Sequence, residues 1–257
     1  MQAAEGRSWR VTFTVSRCIH ERNFPGKSVG FLSRGSIPDD DPVRMRYRTV
    51  LFDLDGTLVD HFAAIHRAHA HTLRQLGRPE PTLATVRAAV GGGLEAAIAR
   101  LAGPESVAAA LAIYRPYWDA IMLDDVQLLP GARALLEQLH ARGIQLAVLT
   151  NKLGPSSRRI CDHLGLTPFL AGVFGVKDTP WLKPQPEFTA HALTQLAANA
   201  ATTLLVGDSP YDVATAQNGG LDFFGVTTGT HSDEELRAAG ATVVHANLAD
   251  LARALVD

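Results

Sequence analysis

Val50-Leu51-Phe52-Asp53-Leu54-Asp55-Gly56-Thr57-Leu58-Val59-Asp60 is the stretch whose reading decides the fold. Its apolar run, Thr49 to Leu54, predicts a buried strand. Two carboxylates, Asp53 and Asp55, close the run, and a Gly56-Thr57 turn follows. Residues two apart in a strand face the same side, so both carboxylates leave its carboxyl end together. Open α/β sheets bind their ligands there. Two adjacent acids repel each other, and keeping both calls for a cation or a proton transfer. The alternative has one Asp capping the next helix and the other in a turn. The motifs downstream weigh against it.

The strand with Asp53, Asp55, Gly56 and Thr57 resembles the first motif of the haloacid dehalogenase-like hydrolases, and the resemblance runs from about Tyr47 to the C-terminus. It implies that Asp53 is a nucleophile and Asp55 a general acid and base. The residues suit that chemistry. A carboxylate can attack phosphorus and form an aspartyl-phosphate, splitting a hard hydrolysis into two easier steps. The leaving alkoxide needs a proton and the later water must lose one; Asp55 is placed for both.

A chain of 257 residues can hold one sizeable domain plus an insertion. Its formal net charge of −2 argues against a general nucleic-acid binder. Two cysteines, Cys18 and Cys161, give no disulfide framework and point to a reducing, cytoplasmic setting. No apolar run is long enough to span a membrane. Residues 1–45 lack periodicity and end near Asp39-Asp40-Asp41. They are expected to be a disordered N-terminal extension.

From Phe62 the pattern turns helical, with Ile65, His69, Leu73 and Leu76 on one face. Thr82 to Val90, Leu94 to Leu101 and Glu105 to Trp118 read as further helices. This block ends near Leu128-Leu129-Pro130-Gly131, and beyond it strands and helices alternate. Strands are expected at Gln145 to Thr150, Gly172 to Val176, Thr202 to Gly207 and Phe223 to Thr227. Helices are expected at Ala132 to His140, Ser156 to Leu164, Pro186 to Ala198 and Tyr211 to Asn218. Ser232 and Glu235 fit a capping box that opens another. The expected fold is α/β: a doubly wound, parallel, Rossmann-like core over residues 46–61 and 129–257. The inserted all-helical block, residues 62–128, corresponds by the resemblance to a cap that closes over the active site.

Three further motifs follow in the family's order, each at a strand end or in the loop after it. Thr150 resembles the second motif, a hydroxyl that donates to a phosphate oxygen, and Asn151 could add an amide donor. Thr-Asn is also an ordinary turn pair. Lys152 reads as a solvated neighbour, although Thr150-Asn151-Lys152 resembles the phosphoglycolate phosphatase branch. Lys183-Pro184-Gln185-Pro186 resembles the third motif; its prolines stiffen the approach to a helix and aim Lys183. A lysine there can neutralise a transferring phosphoryl group. Gly207-Asp208-Ser209-Pro210-Tyr211-Asp212 resembles the fourth motif. The resemblance implies Mg²⁺ held by Asp53, Asp208 and the main-chain carbonyl of Asp55, with Asp212 in support. Mg²⁺ wants such oxygen ligands.

The glycines Gly91-Gly92-Gly93 precede a helix, where main-chain amides can approach an anion. Gly92 and Gly93, with Gly56, are candidate substrate-binding positions. A flexible interhelical turn is the plain alternative. His61, His66, His69 and His71 cluster near the first helix, and packing or solvated roles are expected of them. Trp181 is expected to pack.

The expected activity is a Mg²⁺-dependent phosphatase acting through an aspartyl-phosphate on a small phosphorylated metabolite resembling phosphoglycolate. A pyrophosphatase, or a phosphosugar phosphatase or mutase of the same family, is the alternative. A mutase usually has a cap histidine where Ile65 stands. A non-catalytic binding module would be expected to lack one of Asp53, Asp55, Lys183 and Asp208. The identity of the substrate and the oligomeric state stay open.

Overall fold

The computed structural model describes residues 46–256, so the expected N-terminal extension lies outside the described residues. Strand β1 (Thr49–Phe52) is wholly buried and stops one residue before Asp53. After the Gly56-Thr57 turn comes a short strand, β2 (Val59–Asp60). Four helices follow: α1 (Phe62–Gln75), α2 (Leu83–Ala89), α3 (Leu94–Ala102) and α4 (Val107–Ile121). Ile65 and Ala68 of α1 pack with Tyr114 and Trp118 of α4, while Leu73 joins Ile98, Ala102 and Ala110 in a separate cluster. Strand β3 (Gln127–Leu128) then pairs antiparallel with β2, Val59 opposite Leu128 and Asp60 opposite Gln127. The helical block therefore leaves and re-enters through one two-stranded link.

The rest alternates: α5 (Ala132–Ala141), β4 (Gln145–Leu153), α6 (Gly154–His163), β5 (Leu170–Val176) and α7 (Pro186–Gln195). Then come β6 (Thr203–Gly207), α8 (Pro210–Gly219), β7 (Asp222–Val226), α9 (Asp233–Ala238), β8 (Val243–His245) and α10 (Leu248–Val256). The strands lie in the order β5-β4-β1-β6-β7-β8, and every neighbouring pair is parallel. The chain builds outward from β1 on one side, then returns to build on the other. That reversal makes the crevice at the end of β1 the switch point where ligands bind.

Helices cover both faces, and the period of two along β1 decides which side chain meets which layer. Val50 and Phe52 pack with Leu135, Leu139 and Leu251, whereas Leu51 packs with Phe188, Ala192 and Ala216. Burying each large apolar side chain contributes about 1.5–3 kcal/mol. A charge at Leu51 would therefore break the second layer. The Ser232–Glu235 capping box is formed at the start of α9, with both reciprocal bonds present. Cys161 is buried in the core, and burial pushes its thiol up to about 12, in keeping with an unreactive role. No described helix is long and apolar enough to cross a membrane.

Candidate active site

The neighbours β4, β1 and β6 end side by side, which delivers Thr150, Asp53 and Asp208 to one cavity. Lys183 enters it from the loop before α7, whose first residue is Pro186. The lysine is buried, and its Nζ lies 2.7 Å from Asp53 Oδ1 and 2.6 Å from Asp212 Oδ1. Burial opposes its charge, but Asp212 and then Asp53 hold its pKa above the usual lysine range. Asp212 occupies the first turn of α8, where its Oδ2 accepts from the Ser209 amide at 3.1 Å and the Ser209 hydroxyl at 2.6 Å. Both Asp212 oxygens are thus engaged by protein donors, which makes this residue an orienter of Lys183.

Asp208 accepts from the Thr57 hydroxyl at 3.2 Å and the Thr230 amide at 3.0 Å. Burial, then the charges of Asp53 and Asp212, raise its pKa well above the usual carboxylate range. Burial likewise pushes Asp53 up to about 6, against the pull of Lys183 and with a further push from Asp212. Carboxylate oxygens of Asp53, Asp208 and Asp212 lie within 4.8 Å of one another. Buried acids crowded in this way, with one lysine among them, have the hard oxygen donors and the surplus negative charge that suit a small divalent cation.

Asp55 faces a different environment. Lys152 Nζ lies 2.7 Å from its Oδ2, and His61 Nδ1 lies 3.5 Å from its Oδ1. Burial would raise the Asp55 pKa, but Lys152 holds it well below the usual carboxylate range. His61 is fully buried, and its Nε2 donates to Met122 O at 2.7 Å. The two candidate catalytic acids therefore sit in opposed electrostatic settings.

The Thr150 hydroxyl accepts from the Lys152 amide at 3.3 Å, which leaves its own proton to donate. Asn151 bridges two loops: its Nδ2 donates to Gly91 O and to Lys183 O at 3.0 Å each, and its Oδ1 accepts from Lys183 N at 2.8 Å. Both amide hydrogens are engaged, so it positions Lys183 rather than meeting a phosphate. Gly56 has its amide on Val59 O at 2.9 Å, so that amide is likewise taken. Its φ is +88°, and a Cβ there would lie 2.7 Å from Asp208 Oδ2; glycine admits Asp208. Gly91 and Gly93 line the cavity. Gly92 packs instead on Tyr211, whose hydroxyl lies 2.7 Å from where its Cβ would stand.

A family model described as haloacid dehalogenase-like hydrolase matches residues 50–226, more than half of the chain. The chain belongs to the haloacid dehalogenase-like hydrolases. It is 36% identical over 201 residues to a Dickeya dadantii protein named "Probable phosphatase IndB", covering 76% of this chain and 87% of that one. It is 33% identical over 215 residues to phosphoglycolate phosphatase of Yersinia pestis, covering 81% of this chain and 93% of the relative. The fold matches a haloacid dehalogenase-like family hydrolase from Streptococcus pneumoniae at TM-score 0.75 and 26% identity, over 81% of this chain and 98% of that one. These likenesses set the chain on the phosphoglycolate phosphatase-like branch.

The four histidines at α1 do not converge. His61 is anchored on Met122 O, His66 Nε2 donates to Pro81 O at 2.9 Å, His69 packs on Tyr114, and His71 stacks on Tyr117. Trp181 packs against the second core layer, as expected. Lys152 departs from the solvated role expected of it. Strand β4 runs on to Leu153, so Lys152 shares the face of Thr150 and enters the cavity. Thr57 is marked by the first motif but its bond to Asp208 is not, and Thr230 has no signal in the sequence, because each meets Asp208 across the fold.

Proposed function

We propose that this hydrolase is a Mg²⁺-dependent phosphatase of small phosphomonoesters, with Asp53 as nucleophile. The observation that carries the reading is the buried cluster of Asp53, Lys183, Asp208 and Asp212 under a cavity that Asp55 also lines. Asp53, with one oxygen held by Lys183, attacks phosphorus with the other and forms an aspartyl-phosphate. Lys183 and the Thr150 hydroxyl offset the charge on the phosphoryl oxygens. Asp55, ionised at rest, takes the proton of the monoanionic phosphomonoester and passes it to the departing alkoxide, then takes one from the water that hydrolyses the intermediate. Asp53, Asp208 and the Asp55 carbonyl would hold Mg²⁺, which supplies charge neutralisation and alignment of the phosphoryl group. The helical insertion, residues 62–128, serves as the cap that excludes water during transfer.

A mutase reading is disfavoured by His66, which is directed to Pro81 O, and by Ile65, which lines the cavity. Phosphate release from p-nitrophenyl phosphate and a panel of small phosphomonoesters tests the proposal. Turnover should need Mg²⁺, stop in EDTA and be absent in Asp53→Asn. No release across the panel with Mg²⁺, or full release in EDTA, would overturn it.

A further inference from the structure

The cavity beside Asp53 has a volume of about 160 Å³. Its floor is the carboxyl end of the sheet, where the charges lie. Its roof comes from the helical insertion and is apolar: Ile65 of α1, Val90, Leu94 of α3, and Tyr114 and Trp118 of α4. Ile65, Tyr114 and Trp118 are buried apart from the cavity itself. The Tyr114 and Trp118 rings stack with centroids 5.9 Å apart and planes 20° from parallel, which makes one aromatic wall.

The cations around this space are already engaged. Lys183 is held between Asp53 and Asp212, and Lys152 is paired with Asp55. His69, the buried polar side chain of the roof, is neutral at pH 7, because burial pushes it down to about 4. Arg115 stands at the rim, 45% exposed and 3.8 Å from Glu95, with the exposed Asp119 also on the rim. A second anionic group carried under the roof would thus be desolvated against Ile65, Leu94 and the two rings without a buried cation of its own, an unfavourable exchange. In the glycine loop, Gly91 O is bonded to Asn151 and Gly92 lies against Tyr211, so the loop joins the insertion to the core, and Gly93 lines the cavity as the N-cap of α3 with no cation beside it.

Resting on the phosphatase reading, we infer that the substrate is the phosphomonoester of a compact apolar alcohol, aromatic or branched aliphatic, and not a phosphorylated carboxylic acid. The alcohol body lies between the Tyr114–Trp118 wall and Leu94, while the phosphoryl group meets Asp53, Thr150 and Lys183. This departs from the carboxylated substrate that the glycine loop suggests in the sequence.

The test uses the full chain with Mg²⁺ and three esters with alkoxide leaving groups: benzyl phosphate, ethyl phosphate and phosphoglycolate. The expected result is a kcat/KM for benzyl phosphate roughly tenfold or more above both others, the scale on which apolar contacts discriminate. Leu94→Arg puts a cation into the roof. It should move the benzyl-to-phosphoglycolate ratio toward phosphoglycolate by roughly tenfold or more. A ratio measured in one preparation does not depend on the fraction folded. Phosphoglycolate equal to or better than benzyl phosphate, or a ratio that Leu94→Arg leaves unmoved, would overturn the inference and leave the phosphatase reading intact. No turnover of the three esters or of p-nitrophenyl phosphate would overturn both.

Discussion

Lys152 Nζ lies 2.7 Å from the Asp55 carboxylate and 4.6 Å from the centre of the Trp118 ring, so one lysine ties the candidate acid and base to the apolar roof. Its side chain is only 10% exposed, which weakens solvent screening of the pair. Against the upward push of burial, Lys152 keeps Asp55 ionised. Removing the lysine should raise the Asp55 pKa. Attack by water on the intermediate needs ionised Asp55, so in Lys152→Met the acidic limb of the kcat profile should move to higher pH. The maximum of kcat should fall roughly tenfold to a hundredfold, the range of general acid–base effects. Profiles of the wild type, Lys152→Met and Lys152→Arg check this. A limb in the same place in all three would detach Lys152 from the ionisation of Asp55.

Asp208 makes an opposite prediction about stability. Its folded pKa is raised, first by burial and then by Asp53 and Asp212, above the ordinary value of 3.8. A carboxylate of that kind binds its proton more tightly in the folded state. Metal-free protein should therefore lose stability as the pH rises above the ordinary value toward neutrality. Asp208→Asn should raise the thermal midpoint in EDTA at pH 7. It should also abolish the further rise that Mg²⁺ gives the wild type. Thermal scans with and without Mg²⁺ read both effects. A large Mg²⁺-dependent rise in the variant would remove Asp208 from the metal site.

His69 supplies a pH dependence of the other sign. Burial lowers its pKa from 6.5 to about 4. The unfolded state then binds the proton more tightly between those values. Stability is complete above the unfolded pKa and is lost as the pH falls through the window. By pH 4 the loss is on the order of 3 kcal/mol. Urea unfolding at pH 7 and pH 5 should show a smaller decrease in His69→Phe than in the wild type. Equal decreases would assign the acid sensitivity to other groups.

The sequence marks the end of β6 well and that of β1 to within two residues, because an apolar run followed by a polar residue carries its own boundary. Lys183 is legible for a similar local reason: the prolines at 184 and 186 frame it. The role of Lys152 is not, since it depends on β4 running to Leu153, beyond the apolar run. Asn151 meets Gly91 and Lys183, and Thr230 meets Asp208, across tens of residues, and no local pattern encodes such pairs. Strand β8 has three half-buried residues and no usable alternation, whereas α10 shows Leu248, Leu251 and Leu255 at helical spacing. The apolar roof depends on how α1, α3 and α4 pack together, which their separate periodicities do not specify.

Asn151 connects the glycine loop of the insertion with the main chain of Lys183, through three hydrogen bonds of 2.8–3.0 Å. Removing the amide should loosen both at once. Asn151→Ala should raise KM through the loop and lower kcat through misplaced Lys183, roughly tenfold to a hundredfold in kcat/KM for a displacement of the order of 1 Å. Asn151→Asp keeps the acceptor for Lys183 N but loses both donors, so its defect should lie mainly in KM. Steady-state kinetics with benzyl phosphate separate the two variants. Identical KM and kcat effects in both would mean that the bridge acts as a single structural unit.

The division of labour between Asp53 and Asp55 gives the decisive prediction. Asp53 directly follows β1, and Lys183 lies on one of its oxygens, while Asp208 crowds it from beyond the end of β6. Burial raises the Asp53 pKa, while the Lys183 ammonium on its Oδ1 favours the ionised, nucleophilic form. Asp55 is two residues on, held by Lys152 and His61 and turned to the same cavity. Asp53→Asn should therefore give no aspartyl-phosphate and essentially no turnover. Asp55→Asn should lose roughly a hundredfold or more in kcat, yet still be labelled slowly by p-nitrophenyl phosphate, whose leaving group needs no proton. Acid quench, borohydride trapping and peptide mass spectrometry locate the labelled carboxylate. Label on Asp53 in the wild type and in Asp55→Asn, with none in Asp53→Asn, is the expected pattern. Label on Asp55 or Asp208 with Asp53 untouched would reverse the assignment, since the Lys183 contact would then mark a structural acid and not the attacking one.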